Sequence, residues 1–345
     1  MTSTRTLVPL AAATPPFYAG VDLGGTNIKA ALVDDAGRLL AFHTEPTHAA
    51  RGPEDTAARM GAAVHTLARQ VGLASTDIAR VGLGTPGPHD LPRGLIVQSG
   101  NLPGWENFPI RDRVAAHCGH PVTYANDANA AAYGEFWVGS GREYSSLILL
   151  TLGTGVGGGI IIGDTNVEGA HSHGSECGHI IVDTSPSARS CPFGHQGDLE
   201  AYASATALVA AARAALAGGG RGPLADAVDR GEALSPILIA RAAAAGDRLA
   251  MDLILDAARW LGIGIVTLIH TIDPEAVILG GAMLFGGEEA PVGRAFIERV
   301  RAEVKRRTFP LLAAKTPIRF ASLGGDAGSI GVAGLARLEH RRGKA

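Results

Sequence analysis

From Phe17 onward the apolar positions fall alternately into short aliphatic or β-branched runs and Ala-rich stretches with helical spacing, the pattern of an α/β chain. Strands are predicted over 18–22, 28–33, 38–45, 78–84 and 122–125. A helix is predicted over 54–71, where Met60, Val64, Leu67 and Val71 share one face. Beyond it the pattern predicts a helix over 128–136, a loop region over 163–198, helices around 199–217 and 235–270, and a strand over 276–279. A further strand over 318–321 and a helix over 327–337 complete the chain. Asp273-Pro274 marks the end of the long helix before the strand at 276.

A strand, tight turn, strand pattern occurs twice. Asp22-Leu23-Gly24-Gly25-Thr26-Asn27 runs into the apolar stretch 28–33, and Leu152-Gly153-Thr154-Gly155-Val156-Gly157-Gly158-Gly159 runs into 160–162. Glycine permits positive φ and lets backbone N–H groups approach an anion, so two such turns could face one polyphosphate from opposite sides. Gly-Gly is also an ordinary hairpin signal, and one copy alone would mean little. A dinucleotide crossover would need a helix after the glycines, whereas 28–33 continues as a strand. With Asn126-Asp127 between the two copies, the combination points to phosphoryl transfer.

Asp127 is the candidate base, because a hydroxyl is a poor nucleophile until a carboxylate begins to take its proton. Asn126 beside it can donate to and accept from a sugar hydroxyl, and the same pair is also a plain helix cap before Ala128. Glu176-Cys177-Gly178-His179 and Glu200 add carboxylates and an imidazole of the kind polyol recognition uses, or form a satisfied surface loop.

Size and charge narrow the class. A chain of 345 residues is long enough for two cores. Its net charge of −3 and scattered Lys and Arg offer no stripe for nucleic acid, and no apolar run is expected to reach the length of a membrane span. Three irregularly spaced cysteines give no disulfide framework, so a reducing, cytoplasmic setting and a small-molecule substrate are expected. Residues 1–16, broken by Pro9 and Pro15-Pro16, are expected to be a loosely attached extension rather than an export signal.

The two glycine strings, Asn126-Asp127-Ala128-Asn129-Ala130, Glu176-Cys177-Gly178-His179 and Asp273-Pro274-Glu275-Ala276-Val277-Ile278-Leu279-Gly280-Gly281 together resemble the ROK family of repressors and sugar kinases, in its order and spacing. The resemblance covers nearly everything from Val21 to Ala336. It implies the two-lobed actin-like ATPase fold, with nucleotide and sugar in the interlobe cleft and lobes of 17–127 plus 325–345 and of 128–324. It implies a glucokinase using ATP and Mg²⁺, with fructose, mannose or an N-acetylated hexosamine as alternative substrates, and a homodimer or homotetramer. Asp127 would take the proton of the sugar 6-hydroxyl, and Asn101, Asn126, Glu176, His179 and Glu200 would hold the sugar. Gly24, Gly25, Thr26, Thr154 and Gly155 would meet phosphates, Gly280 and Gly281 the adenosine, and Asp22 would orient Mg²⁺. A sugar-sensing repressor is the rival within the family, disfavoured because only about twenty residues precede Asp22, short of a DNA-recognition module.

One motif departs from that family. Many members carry a C-x-C-G-x-x-G-C-x-E box whose three cysteines join the histidine around a structural zinc. Here the box reads Cys191-Pro192-Phe193-Gly194-His195-Gln196-Gly197-Asp198-Leu199-Glu200. The zinc is therefore expected to be lost, with Phe193 packing into the space. His179, Cys191, His195 and Asp198 are the residues that could rebuild a site.

Overall fold

The duplicated pattern forms two sheets of the same plan in a computed structural model that describes residues 5–98 and 104–344. In chain order the first elements are β1 (Phe17–Leu23), β2 (Asn27–Val33), β3 (Leu39–Pro46), α1 (Pro53–Val71), β4 (Ile78–Thr85), β5 (His89–Asp90), β6 (Leu95–Ile96), α2 (Ile110–Cys118), β7 (Val122–Asn126) and α3 (Asp127–Trp137). Next come β8 (Ser146–Leu152), β9 (Val156–Ile162), β10 (Thr165–Asn166), α4 (Glu200–Ala203), α5 (Ala205–Ala217), α6 (Pro223–Asp229), α7 (Pro236–Ala244) and α8 (Arg248–Ile272). The last are β11 (Ala276–Gly281), α9 (Pro291–Arg307), α10 (Pro310–Lys315), β12 (Ile318–Phe320) and α11 (Ala327–Arg342). The first sheet runs β3-β2-β1-β4-β7, antiparallel through β1 and parallel from β1 to β7. The second runs β10-β9-β8-β11-β12, with β8, β11 and β12 parallel.

Contacts divide the chain into one unit of Met1–Ser145, Gly159–Ser175 and Ser322–Ala345 and another of Ser146–Gly158 and Glu176–Ala321. The division differs from the expected break at 127/128, because α3 packs backbone to backbone on α11. A Cβ on Gly134 would press on the Ala327 carbonyl, and one on Gly331 would collide with that of Ala130. In the same way Gly20 and Gly82 let α11 lie directly on β1 and β4. The opposite face of this sheet is apolar: Val21, Leu23, Ile28 and Leu83 pack with Met60, Val64 and Leu67 of α1.

Residues 5–16 are tied to the first unit rather than loose. Arg5 pairs with Asp326 at 2.6 Å and lies over the Phe42 ring. The Val8 amide donates to the Leu39 carbonyl, and buried Asp34 accepts the Thr14 amide at 3.0 Å. The first unit also holds a buried carboxylate with no obvious sequence signal. Glu135 accepts the amides of Ser140, Ser322 and Leu323 at 2.7–2.9 Å and both serine hydroxyls, joining the end of α3 to the approach to α11. Glu135→Gln places an NH₂ against those donors and is expected to lower the unfolding free energy by about 1–3 kcal/mol in denaturant titrations; an unchanged midpoint would show the network to be dispensable.

In the second unit the helical stretch predicted over 235–270 is broken between α7 and α8. Asp247 caps α8 through the Ala250 amide at 3.0 Å and also accepts the Leu224 amide at 2.6 Å. With 25 residues, α8 is long and apolar enough to cross a membrane by length and composition, which the sequence reading did not expect. Its apolar face, including Ile254, Ala258, Leu261, Ile265 and Leu268, is buried, and Gly262 admits the Glu303 side chain of α9.

Candidate active site

In the first unit the parallel strands β1, β4 and β7 bring polar residues to their carboxyl ends, the edge at which open α/β sheets bind ligands. The Asp22 carboxylate lies between two glycines: a Cβ on Gly84 would stand 3.4 Å from its Oδ1, and one on Gly328 would collide with Oδ2. Burial pushes this carboxyl up to about 6, against the opposing pull of Lys29, its cross-strand neighbour on β2. Lys29 itself donates to the Gly325 carbonyl at 2.7 Å.

Asn126 ends β7 and caps α3, its Oδ1 accepting from Ala128 N at 2.8 Å and Asn129 N at 3.1 Å. Asp127 follows in the first turn of α3, and its Oδ1 also accepts the Ala128 amide, at 2.8 Å. Positive charge at a helix N-terminus favours the ionised carboxylate there. Capping therefore accounts for the Asn126 oxygen without using its NH₂ group.

The first glycine turn is closed by Gly24 N to Asn27 O at 2.9 Å and held from outside by Thr47. The Thr47 hydroxyl donates to Gly24 O at 2.6 Å, and its amide to Thr26 O at 2.8 Å. Gly25 and Thr26 are exposed at the tip. Gly24, Gly153 and Gly155 do not adopt left-handed φ; a Cβ would crowd Asn27 O at Gly24 and collide with Glu200 at Gly155, whereas at Gly153 it would meet open space.

Beneath this edge Thr85 joins Tyr124 and His89, each at 2.8 Å, in a buried network that the sequence reading missed. Burial pushes His89 down to about 4, so the imidazole is neutral at pH 7. A depressed histidine contributes stability that is full above pH 6.5 and is lost as pH falls toward 4. His89→Gln is therefore expected to flatten that part of the stability profile, read as melting midpoints against pH; a profile parallel to that of the unmodified protein would contradict it.

In the second unit the β8–β9 turn is built around Glu200. Its Oε2 accepts the Val156 amide at 2.9 Å, and a Cβ on Gly155 would collide with the same oxygen. Thr206 donates to the Thr154 carbonyl at 2.7 Å, and Ala205 N to Gly153 O at 2.9 Å. Burial raises the Glu200 carboxyl, the Val156 amide and His179 lower it, and Asp198 and Glu176 raise it further. These sequence-selected groups thus lie within electrostatic reach of one another. Gly281, at φ 94°, ends β11 where a Cβ would collide with the Leu152 carbonyl, and Gly280 precedes it. Asn101 lies outside the described residues.

The altered box folds over His179. Its Nδ1 is 2.8 Å from Asp198 Oδ2, and His195 Nδ1 is 3.5 Å from His179 Nδ1 and 3.9 Å from the same carboxylate oxygen. Cys191 completes a set of four donor atoms within 4.8 Å of one another. Phe193 does not fill this space as expected: it is 61% exposed and meets His179 only ring to ring, at 5.4 Å. Gly194, at φ 84°, turns the chain outward at that point.

The ROK family model matches residues 18–339. The chain belongs to the ROK family. Among its ROK relatives, a glucokinase from Halalkalibacterium halodurans is 32% identical over 315 residues, 91% of this chain and 93% of that protein. The crystal structure of a ROK hexokinase from Thermus thermophilus matches with a TM-score of 0.78 at 34% identity, covering 94% of this chain and 99% of that one. A ROK family glucokinase from Streptomyces griseus, crystallised with glucose and AMPPNP, matches with a TM-score of 0.74 at 34% identity over 93% of this chain and 99% of that one. The fold is accordingly the actin-like ATPase fold of the ROK kinases.

Proposed function

We propose that the chain transfers the γ-phosphoryl group of ATP to the 6-hydroxyl of a hexose, with glucose as the preferred acceptor. The observation that carries this reading is Asp127. It is a carboxylate in the first turn of α3, directly after β7, in a chain that aligns nearly end to end with glucokinases. Asp127 draws the proton from the 6-hydroxyl as the oxygen attacks phosphorus. The Asn126 NH₂, Glu176, His179, Glu200 and Asn101 hold the sugar. Gly24, Gly25, Thr26, Thr154 and Gly155 lie along the phosphates, and Gly280 and Gly281 along the adenosine.

Mg²⁺ fits the donor set at Asp22, a hard carboxylate whose raised pKa reports a charge short of compensation. Bound there, the ion would offset the charge of the phosphates. The same reading makes the enzyme cytoplasmic, where ATP is the donor and the three buried free cysteines stay reduced, and a homodimer or homotetramer.

Initial rates with ATP over a panel of glucose, fructose, mannose and N-acetylmannosamine test the substrate. The highest kcat/KM is expected for glucose. A higher value for another sugar would replace glucose, and no turnover with any of them would remove the kinase reading.

A further inference from the structure

We propose that His179, Cys191, His195 and Asp198 form a mixed-donor site for a borderline divalent cation of the Zn²⁺ class, in place of the three-thiolate set of related proteins. The donor set stands whether or not the chain is a kinase. Two imidazoles, a thiol and a carboxylate are each ordinary zinc ligands, and here they converge within 4.8 Å. Tetrahedral zinc, with bonds of about 2.0–2.3 Å, sets its ligand atoms roughly 3.3–3.8 Å apart. The His195–His179 separation of 3.5 Å lies in that range and the His195–Asp198 separation of 3.9 Å is just above it, while the 2.8 Å His179–Asp198 hydrogen bond would widen as the metal replaces its proton.

The surroundings support the same conclusion. Asp198 is fully buried, and its second oxygen accepts the Ala201 amide at 3.1 Å, which aims Oδ2 at the two imidazoles. Cys191 is buried, and its thiol turns toward Asp198. The loop is closed by Cys191 N to His195 O and Gly194 N to Cys191 O, both 2.9 Å, which sets thiol and imidazole on one side of a single turn. His195 remains more than half exposed and supplies the entry path a metal needs.

One thiolate and one carboxylate balance a 2+ ion, so the filled site is neutral. Coordination through Nδ1 of His179 would leave the proton on Nε2 and make that nitrogen a hydrogen-bond donor. Donation from Nδ1 to Asp198 in the metal-free form makes Nε2 an acceptor. Occupancy thus decides which partner that ring edge can meet. This consequence for a sugar hydroxyl rests on the proposed function, whereas the site itself does not.

Cobalt titration of the full-length, chelator-treated protein tests the site. One Co²⁺ per chain is expected, with the intense visible bands of tetrahedral cobalt and a near-ultraviolet thiolate charge-transfer band, both bleached by Zn²⁺. Cys191→Ser is expected to remove the charge-transfer band. His195→Ala, at an exposed position that spares the core, is expected to weaken cobalt binding about tenfold or more. His173→Ala, in the loop after β10 and outside the donor set, should change neither. An octahedral spectrum, no binding, or a tetrahedral spectrum indifferent to both Cys191→Ser and His195→Ala would overturn the proposal.

Discussion

Asp127→Asn is expected to lower turnover with ATP and glucose by about 10²–10⁴-fold, the usual contribution of a positioned general base. Asparagine suits the first turn of α3 as well as aspartate does, and its Oδ1 can still accept the Ala128 amide at the 2.8 Å seen for Asp127. The exchange removes basicity and leaves the helix start intact. The loss should therefore appear in kcat, with the glucose dissociation constant changed by no more than a few-fold. Calorimetric glucose binding alongside steady-state rates separates the two. Near-normal turnover with intact glucose binding would remove Asp127 from the role of base.

Asp22→Asn is expected to trade activity for stability. Burial raises the Asp22 carboxyl in the folded state to about 6, from its ordinary value of 3.8. A raised acid contributes stability that is full below pH 3.8 and is lost as pH rises through about 6. At pH 7.5 the folded protein therefore holds a charge that it disfavours by about 3 kcal/mol. Asparagine lifts that penalty. In metal-free buffer the variant should melt several degrees higher at pH 7.5, and the gain should vanish by about pH 4. On the proposed function turnover should fall at least about a hundredfold, because the variant lacks the carboxylate that would hold Mg²⁺ against the phosphates. An unchanged or lower melting temperature at pH 7.5 would show that the carboxylate is compensated where it sits.

The strands were legible because β1, β2, β4 and β7 are short aliphatic runs bounded by glycine, Asn-Asp or proline, signals carried within a few residues. The α2 helix carried its own signal in Ile110, Val114 and Cys118 at helical spacing, masked by the charged residues between them. Helix α9 did so too, in Val292, Phe296, Val300 and Val304. The unit boundary was not legible, since it depends on Gly134 and Gly331 meeting across nearly two hundred residues.

The chemistry-bearing residues divide in the same way. Asp22, Asp127, Glu176, His179 and Glu200 stood out through motif and spacing. Thr47, Thr85, His89 and Glu135 did not, because each acts on a partner brought to it only by the fold. Of the two physical reasons assigned to the glycine turns, positive φ does not hold at Gly24, Gly153 and Gly155. Gly155 is small because Glu200 lies against it, and the turn does not require left-handed backbone. Phe193 was expected to be a filler, but a neighbouring glycine at φ 84° puts it outside and leaves the interior to Cys191 and Asp198.

Transfer to one particular hydroxyl can be read by ³¹P NMR of the unmodified protein with ATP and Mg²⁺, comparing glucose with 6-deoxyglucose. With glucose the account expects ADP and a single phosphomonoester at carbon 6, and with 6-deoxyglucose no sugar phosphate at all. A phosphorylated product from 6-deoxyglucose, or a phosphate elsewhere on glucose, would contradict it.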